Sequence, residues 1–581
     1  MSAQWQLLFR TLPRAHRGLA IAWWTLTVIR ALLPAALIVA TGRLIGAVAD
    51  ADTLTGPLTA VAALFVATRV LSPIHDAVSG NLGARVAGHH HERLLAAATA
   101  ADGIAHLEDP ALADDFSLAR DFDLGITGPP ISVSMPFVAN GLVELVSGLA
   151  AAAILSGYRW WAPPVLVGAW LATHRLLRES TIWRNWRNDE IVALQRHADY
   201  AYRLATDAPA AKEVRLFGLA GWVVDRFGRR RRTLLDLSLQ ALRLRQRRLW
   251  PAVTIAAAAN ALILGLLAHD ASRLTLTQLT TYAGATIGAA VLGVADFGWW
   301  FDTAARPGPV IDTLTGQMPA RGHLPPGHHP ATGLPRHEIR LRGLTFAYPG
   351  REPVFDGLDL RIPAGRSLAI VGQNGADKTT LAKLLCRLHD PTGGSIDVDG
   401  HDLRTLDLPG WRDRVTAVFQ DFIRYEDTLR ANVAPRDAPE PDIAWALHQA
   451  GASDLAAPTT ILSKAYAGGT DLSGGQWQRL ALARAMTAVR AGAGLVILDE
   501  PTAQLDIRGE AEIFRRVLDA TRGRTTILIS HRFSTVRQAD LICVLEAGQV
   551  VEQGTHDQLM ARRGRYHTMY TLQAARFEDP P

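Results

Sequence analysis

The stretch DLSGGQWQRLALARAMTAVRAGAGLVILDEPTAQLD, from Asp471 to Asp506, decides the reading of the whole chain. Its first part, LSGGQ (Leu472 to Gln476), opens a run of helical period in which Leu480, Leu482 and Ala483 are apolar and Arg479 and Arg484 polar. Its second part, LVILDE (Leu495 to Glu500), is a short apolar run ending in two carboxylates. That pattern predicts a buried parallel strand delivering acids at its carboxyl end. About a hundred residues upstream, AIVGQNGADKTT (Ala369 to Thr380) is another apolar strand followed by a Gly-containing loop, a Lys and two Thr. Strand, phosphate loop, helix, then a second strand ending in Asp-Glu is the layout of a nucleoside triphosphatase.

LSGGQ between those two motifs narrows the class. In order and spacing this half of the chain resembles the ATPase domain of an ABC transporter, and the cofactors implied are ATP and Mg²⁺. In the phosphate loop, backbone N–H groups at a helix N-terminus wrap the phosphates, which the resemblance lays on Gly372, Asn374, Gly375, Ala376, Asp377, Lys378, Thr379 and Thr380. Lys378 would reach the β- and γ-oxygens, and Thr379 and Asp499 would hold Mg²⁺. Glu500 would polarise the attacking water as general base, with His531, at the end of the strand-like ILISHR, touching the γ-phosphate. Gln420, in VFQDF, matches the glutamine that senses Mg²⁺, and Tyr348, closing IRLRGLTFAYPG, the aromatic that stacks on adenine. Asp506, in AQLD, falls in the dimer-contact loop, where Gln504 replaces the family's usual Ala. Ser473, Gly474, Gly475 and Gln476 would cap ATP held on a second chain, so the resemblance implies a dimer, homo- or hetero-.

One position departs from the family. Asp377 stands directly before the Lys, where Gly lets backbone approach phosphate closely. A carboxylate roughly 5 Å from a phosphate charge costs on the order of 3 kcal/mol at an effective dielectric near 20, before Mg²⁺ and Lys378 offset it. Two readings stay open: a competent ATP site, or a degenerate half whose LSGGQ serves a partner's ATP.

The other half is hydrophobic. Mean hydropathy is +0.08 although 20% of residues are charged, and the chain divides near residue 315. Six apolar stretches, 19–42, 57–75, 131–156, 160–178, 250–269 and 277–301, each approach the ~20 residues a helix needs to cross a bilayer. Polar, helix-patterned segments follow the second and fourth, with Arg concentrated between Arg226 and Trp250; the positive-inside rule puts both long loops and both termini in the cytoplasm. Six spans with cytoplasmic extensions resemble the exporter-type ABC transmembrane domain, and GIAHLEDPALADDFSLAR (Gly103 to Arg120) and APAAKEVRLFGL (Ala208 to Leu219) resemble its coupling segments. Arg30, Glu144 and Asp296 lie inside predicted spans and are expected to line a cavity or to pair. His89, His90 and His91 are adjacent and would point different ways round a helix, against a metal site.

The fold class is therefore a six-helix membrane domain (1–314), a Pro-, Gly- and His-rich linker (315–338) and an α/β P-loop ATPase domain of ABC type (339–575). A plasma-membrane exporter is expected, its partners a second half-transporter, the lipid bilayer and a transported substrate. A net charge of +5 gives no reason to expect nucleic acid. A soluble ABC-type ATPase is excluded by the spans, and a fused cysteine protease by the lack of any Cys before Cys386. Cys386 and Cys543 read as reduced core residues.

Overall fold

The computed structural model describes residues 3–123, 129–179, 189–293, 297–372, 377–501 and 507–578. It divides into two compact units, Met1–Leu95 with Asp114–Leu314, and Ala96–Ala113 with Thr315–Pro581.

The first unit is helical. Among the described residues, four helical stretches are long and apolar enough to cross a membrane: Arg17–Ala49, Thr55–Ala100, Ile131–Gly157 and Leu249–His269. They correspond to the first, second, third and fifth expected spans. The fourth corresponds to Ala162–Glu179, whose later turns carry His174 and Arg175. The sixth is broken into Leu276–Ala289, a 3₁₀ turn at Ala290–Gly293, and Phe297–Ala305. Two helices greatly exceed a ~30 Å hydrocarbon core. Thr55–Ala100 has 46 residues and Ala220–His269 has 50, about 70 Å or more each at 1.5 Å per residue. Close packing uses small residues: Gly42 and Gly46 lie so near Leu276–Ala289 that a Cβ at either would overlap the Thr281 or Thr277 hydroxyl.

The intramembrane charges are only partly as expected. Arg30 does not pair with Glu144. Its guanidinium bonds His75 Nδ1 at 2.8 Å, Asn140 Oδ1 at 3.0 Å and Ser72 Oγ at 2.8 Å. Because Arg can only donate, His75 Nδ1 accepts and its Nε2–H faces Thr27 Oγ1 at 3.2 Å. Asn140 also donates to Asp76 at 3.3 Å. Sequence periodicity misses this network because its members come from three helices. Glu144 is exposed one turn beyond Asn140, and Asp296 lies outside the described residues.

The second unit is built on a six-stranded sheet. In chain order its strands are β3 (Ser367–Val371), β6 (Val415–Val418), β7 (Leu495–Asp499), β8 (Thr525–Ile529), β9 (Leu541–Glu546) and β10 (Gln549–Gly554), in spatial order β10-β9-β3-β8-β7-β6. All neighbours are parallel except β9 and β10. Alternation along β7 splits it between two cores: Leu495 and Ile497 join one cluster, Val496 and Leu498 the other. Every residue of β7 is buried, as a parallel strand covered on both faces requires. A separate antiparallel sheet, β2-β1-β4-β5, comprises β1 (Glu338–Ala347), β2 (Pro353–Pro363), β4 (Gly393–Val398) and β5 (His401–Asp402). Cys386 and Cys543 are buried and unbridged, and burial pushes both thiols up to about 12.

The expected linker needs correction. Its first part is not irregular, since the helix Pro307–Gly322 continues through it. The rest is tied down: His328 and His329 N–H donate to Thr405 O at 2.9 and 3.0 Å, and the fully buried Arg387 donates to Pro325 O at 2.6 Å. Asp399 accepts from the N–H groups of Arg336, His337 and Glu338. A Pro- and Gly-rich stretch lacks periodicity, but its backbone polar groups still need partners.

Replacing Arg30 by Leu strips partners from His75, Asn140 and Ser72. At roughly 0.6 kcal/mol per intramembrane hydrogen bond the loss is about 2 kcal/mol, read as a lower unfolding midpoint in detergent. A change below about 0.5 kcal/mol would contradict a satisfied network.

Candidate active site

The parallel register brings four strand ends to one edge. Val371 pairs beside Val544, Ile370 and Asp499 each beside Ile529, and Val418 beside Leu498. Gly372 therefore leaves the sheet at the edge where Asp499, Glu500 and His531 emerge, with Gln420 two residues past Val418. This carboxyl edge is where open α/β sheets place their ligand sites.

From Gly372 the chain passes through 373–376, outside the described residues, into the helix Asp377–Leu385. Lys378 is buried and its Nζ lies 3.3 Å from Gly372 O. Thr379 Oγ1 donates to Asp499 Oδ2 at 2.5 Å. Asp499 is 3% exposed, and burial raises its pKa against the opposing Thr379 hydrogen bond. Hydroxyl and carboxylate in contact form a hard-oxygen donor set of the kind that suits Mg²⁺.

Glu500 has φ +49°, a left-handed conformation that costs a non-Gly residue on the order of 1–3 kcal/mol. Two bonds impose it: Glu500 N–H to Ile529 O at 2.9 Å, and Gln478 Nε2 to Glu500 O at 2.8 Å. Its carboxylate faces His531 Nε2 at 3.0 Å. Burial first and Lys378 second lower the His531 pKa, with Glu500 and Asp499 opposing, which favours the neutral imidazole. Gln478 escaped the sequence reading. Its position inside the LSGGQ helix is visible, but the strained backbone it holds is not.

Ser473 is the exposed N-cap of the 17-residue helix Gly474–Arg490. It forms a capping box with Gln476: Ser473 N donates to Gln476 Oε1 at 2.8 Å, and Gln476 N to Ser473 Oγ at 3.4 Å. Asp471 steadies the approach by accepting from Trp477 Nε1 at 3.0 Å. Tyr348 is half-buried, its hydroxyl 3.2 Å from Thr380 Oγ1. Gln420 is exposed in the turn after β6. Asn374, Gly375, Ala376 and Asp506 lie outside the described residues, as does the Asp377 side chain.

The segment 102–109, which overlaps the start of the first expected coupling segment (Gly103 to Arg120), belongs to this same unit. Gly103 N–H donates to Gly322 O at 2.8 Å and Ile104 N–H to Leu388 O at 3.1 Å. Glu108 meets Lys383 Nζ at 2.7 Å and His389 Nε2 at 2.9 Å. The His389 bond, with Lys383 adding to it against burial, holds the Glu108 carboxyl down at about 2. The second expected coupling segment contains the helix Ala208–Leu216, ended by Phe217.

The chain resembles known proteins in sequence and in fold. A family model described as ABC transporter matches residues 355–503. The ATP-dependent lipid A-core flippase of Syntrophus aciditrophicus is 40% identical over 252 residues, 42% of this chain and 41% of that protein. The ABC multidrug transporter MDR5 of Trichophyton rubrum is 38% identical over 243 residues, 41% of this chain and 19% of that protein. These matches thus span about two fifths of the relatives' own length, or less. The structure of a bacterial Atm1-family ABC exporter with ATP bound aligns over 96% of this chain and 98% of its own, with a TM-score of 0.73 and 22% identity. The second unit is an ABC-type P-loop ATPase domain. Residues 355–503 match the ABC transporter family model, and the chain as a whole shares the fold of that exporter, a helical domain followed by one ATPase domain.

Two Ser473 variants separate capping from charge. Ser473→Ala loses the cap and about 1 kcal/mol, whereas Ser473→Asp keeps a capping oxygen and stays within about 0.5 kcal/mol of wild type. Thermal unfolding of both checks this, and equal losses would contradict the capping role.

Proposed function

We propose that two copies of this chain, or this chain and a related half, hydrolyse ATP to drive export of a substrate across the plasma membrane. The observation that carries the reading is the sheet edge where Thr379 meets Asp499 and His531 meets Glu500 beside the buried Lys378.

Backbone N–H groups of Gly372 and of residues 374–377, at the start of the helix Asp377–Leu385, would hold the phosphates, Lys378 would bridge β- and γ-oxygens, and Tyr348 would stack on the base. Thr379 and Asp499 would hold Mg²⁺, with Gln420 completing its shell; the ion neutralises phosphate charge. Glu500 would orient a water in line with the γ-phosphorus and accept its proton. The water oxygen bonds phosphorus as the β–γ bridge bond breaks, giving ADP and inorganic phosphate. The neutral His531 would donate to the γ-phosphoryl oxygens.

An exposed Ser473 at a long helix N-terminus fits an anion supplied by another molecule, which supports Ser473 to Gln476, with Asp506, closing over a partner's ATP. Leu216 and Phe217 are 78% and 65% exposed, an apolar tip that fits docking on that partner. Closure of the two ATPase domains would turn the membrane cavity outward, and hydrolysis would reset it. Long apolar helices and the Arg-rich segment from Arg226 support a multi-pass protein with the ATPase domain and both termini in the cytoplasm. The relatives' names span lipid and drug transport, so the substrate class stays open. The second reading, a half impaired in its own site, rests on Asp377 alone.

The test is Mg²⁺-ATP hydrolysis by the purified chain in lipid, beside Glu500→Gln and Asp377→Gly. Activity falling at least about 100-fold with Glu500→Gln supports a competent homodimer. Silence alone, restored by Asp377→Gly, supports the impaired half. Activity untouched by Glu500→Gln sinks the mechanism.

A further inference from the structure

Behind Tyr348 lies a charged cluster that phosphate chemistry does not use. Glu108 Oε1 meets Lys383 Nζ at 2.7 Å and Glu108 Oε2 meets His389 Nε2 at 2.9 Å. Both partners then turn to the aromatic. The Lys383 ammonium is 5.7 Å from the Tyr348 ring centroid, within cation–π range. The His389 ring meets Tyr348 edge-to-face at 5.7 Å and 87°, and leans on Phe346 at 5.4 Å. Phe346 packs edge-on to Tyr348 at 5.0 Å. The Tyr348 hydroxyl reaches Thr380, beside Thr379, on the same helix that carries Lys383. His389 is 7% exposed and Lys383 24%, so this is a packed relay rather than a loose surface pair.

Glu108 sits on the 102–109 turn, whose backbone is anchored through Gly103 and Ile104. In sequence that turn directly continues the helix Thr55–Ala100. One carboxylate thus bonds two of the groups that pack on the ring, Lys383 and His389. Without it, Lys383 loses its counter-charge and His389 Nε2 loses its acceptor, which loosens the hold of both on Tyr348.

We propose that Glu108 is a positioning residue for nucleotide-base recognition: through Lys383 and His389 it sets the Tyr348 ring, and stacking of a purine on that ring in turn seats the 102–109 segment. The inference rests on the ATP reading above and adds a path by which the base, not only the phosphates, is felt by a segment leading to the helical unit. Linkage makes the effect reciprocal, so what seats 102–109 also strengthens base binding.

The discriminating probes are ATP and inorganic tripolyphosphate, which shares the phosphates and lacks the base. Calorimetric titration of the full chain in a Glu500→Gln background, which stops turnover, compares Glu108→Gln with the parent. ATP affinity should fall roughly 3- to 10-fold while tripolyphosphate affinity stays within about twofold. In a Tyr348→Ala background Glu108→Gln should add nothing further. Hydrogen exchange should show ATP, but not tripolyphosphate, protecting 102–109 in the parent and losing that effect with Glu108→Gln. Equal losses for both ligands would mean a merely structural role and overturn the proposal. Losses that add to those of Tyr348→Ala, or unchanged ATP affinity, overturn it as well. A parent chain that binds no ATP overturns the reading beneath it and this inference together, whereas ATP binding indifferent to Glu108 overturns this inference alone.

Discussion

The hydrogen bond from Thr379 to Asp499 joins two requirements that a parallel sheet sets against each other. β7 must be apolar to lie between two cores, yet chemistry at its end needs carboxylates. Asp499, at 3% exposure, carries the desolvation cost, and Thr379 at 2.5 Å relieves part of it while fastening the phosphate-loop helix to the strand. Glu500, one residue on, escapes the sheet by a left-handed turn, which aims its carboxylate at His531. Three strands and two helices thereby become one frame, so any nucleotide bound at this edge would meet groups that are already arranged.

The helical unit solves the same problem by another route. A guanidinium within a span is expensive, and Arg30 answers with three neutral acceptors, His75, Asn140 and Ser72, while Asp76 stands one hydrogen bond further away. A cation held mainly by dipoles fixes the packing of Arg17–Ala49, Thr55–Ala100 and Ile131–Ile154 without requiring a buried carboxylate in direct contact. Glu144 has no such enclosure, and its exposure on the face that Asn140 shares makes that side of the helix unlike a lipid-facing one.

What the sequence made legible follows from locality. β3, β7 and β8 could be read because each is a short apolar run with its chemistry close behind it: Asp499, Glu500 and His531 fall at a strand end or within two residues of it, and Lys378 and Thr379 open the helix that follows β3. Features built from distant residues were hidden. Gln478 braces a backbone 22 residues away, the Arg30 network spans three helices, and Glu108 reaches Lys383 and His389 across more than 270 residues. The stretch after Thr315 misled for a different reason: its Pro and Gly erase periodicity, but its N–H and C=O groups are bound to the ATPase unit, or continue a helix, all the same.

Asp377 belongs in the same accounting. It is the first residue of the helix Asp377–Leu385, where a negative charge complements the exposed N–H groups by some 0.3–1 kcal/mol. Those N–H groups are the ones a phosphate would use. An acid at that position in the sequence would therefore compete with phosphate for the same helix N-terminus. If the base is felt through Tyr348 and Glu108, purine stacking becomes the compensating contribution. Weakening on the phosphate side raises the share of affinity carried by the ring and by the turn behind it. An acid in the phosphate loop and a charged relay behind the aromatic would then act on one equilibrium from opposite ends of the nucleotide.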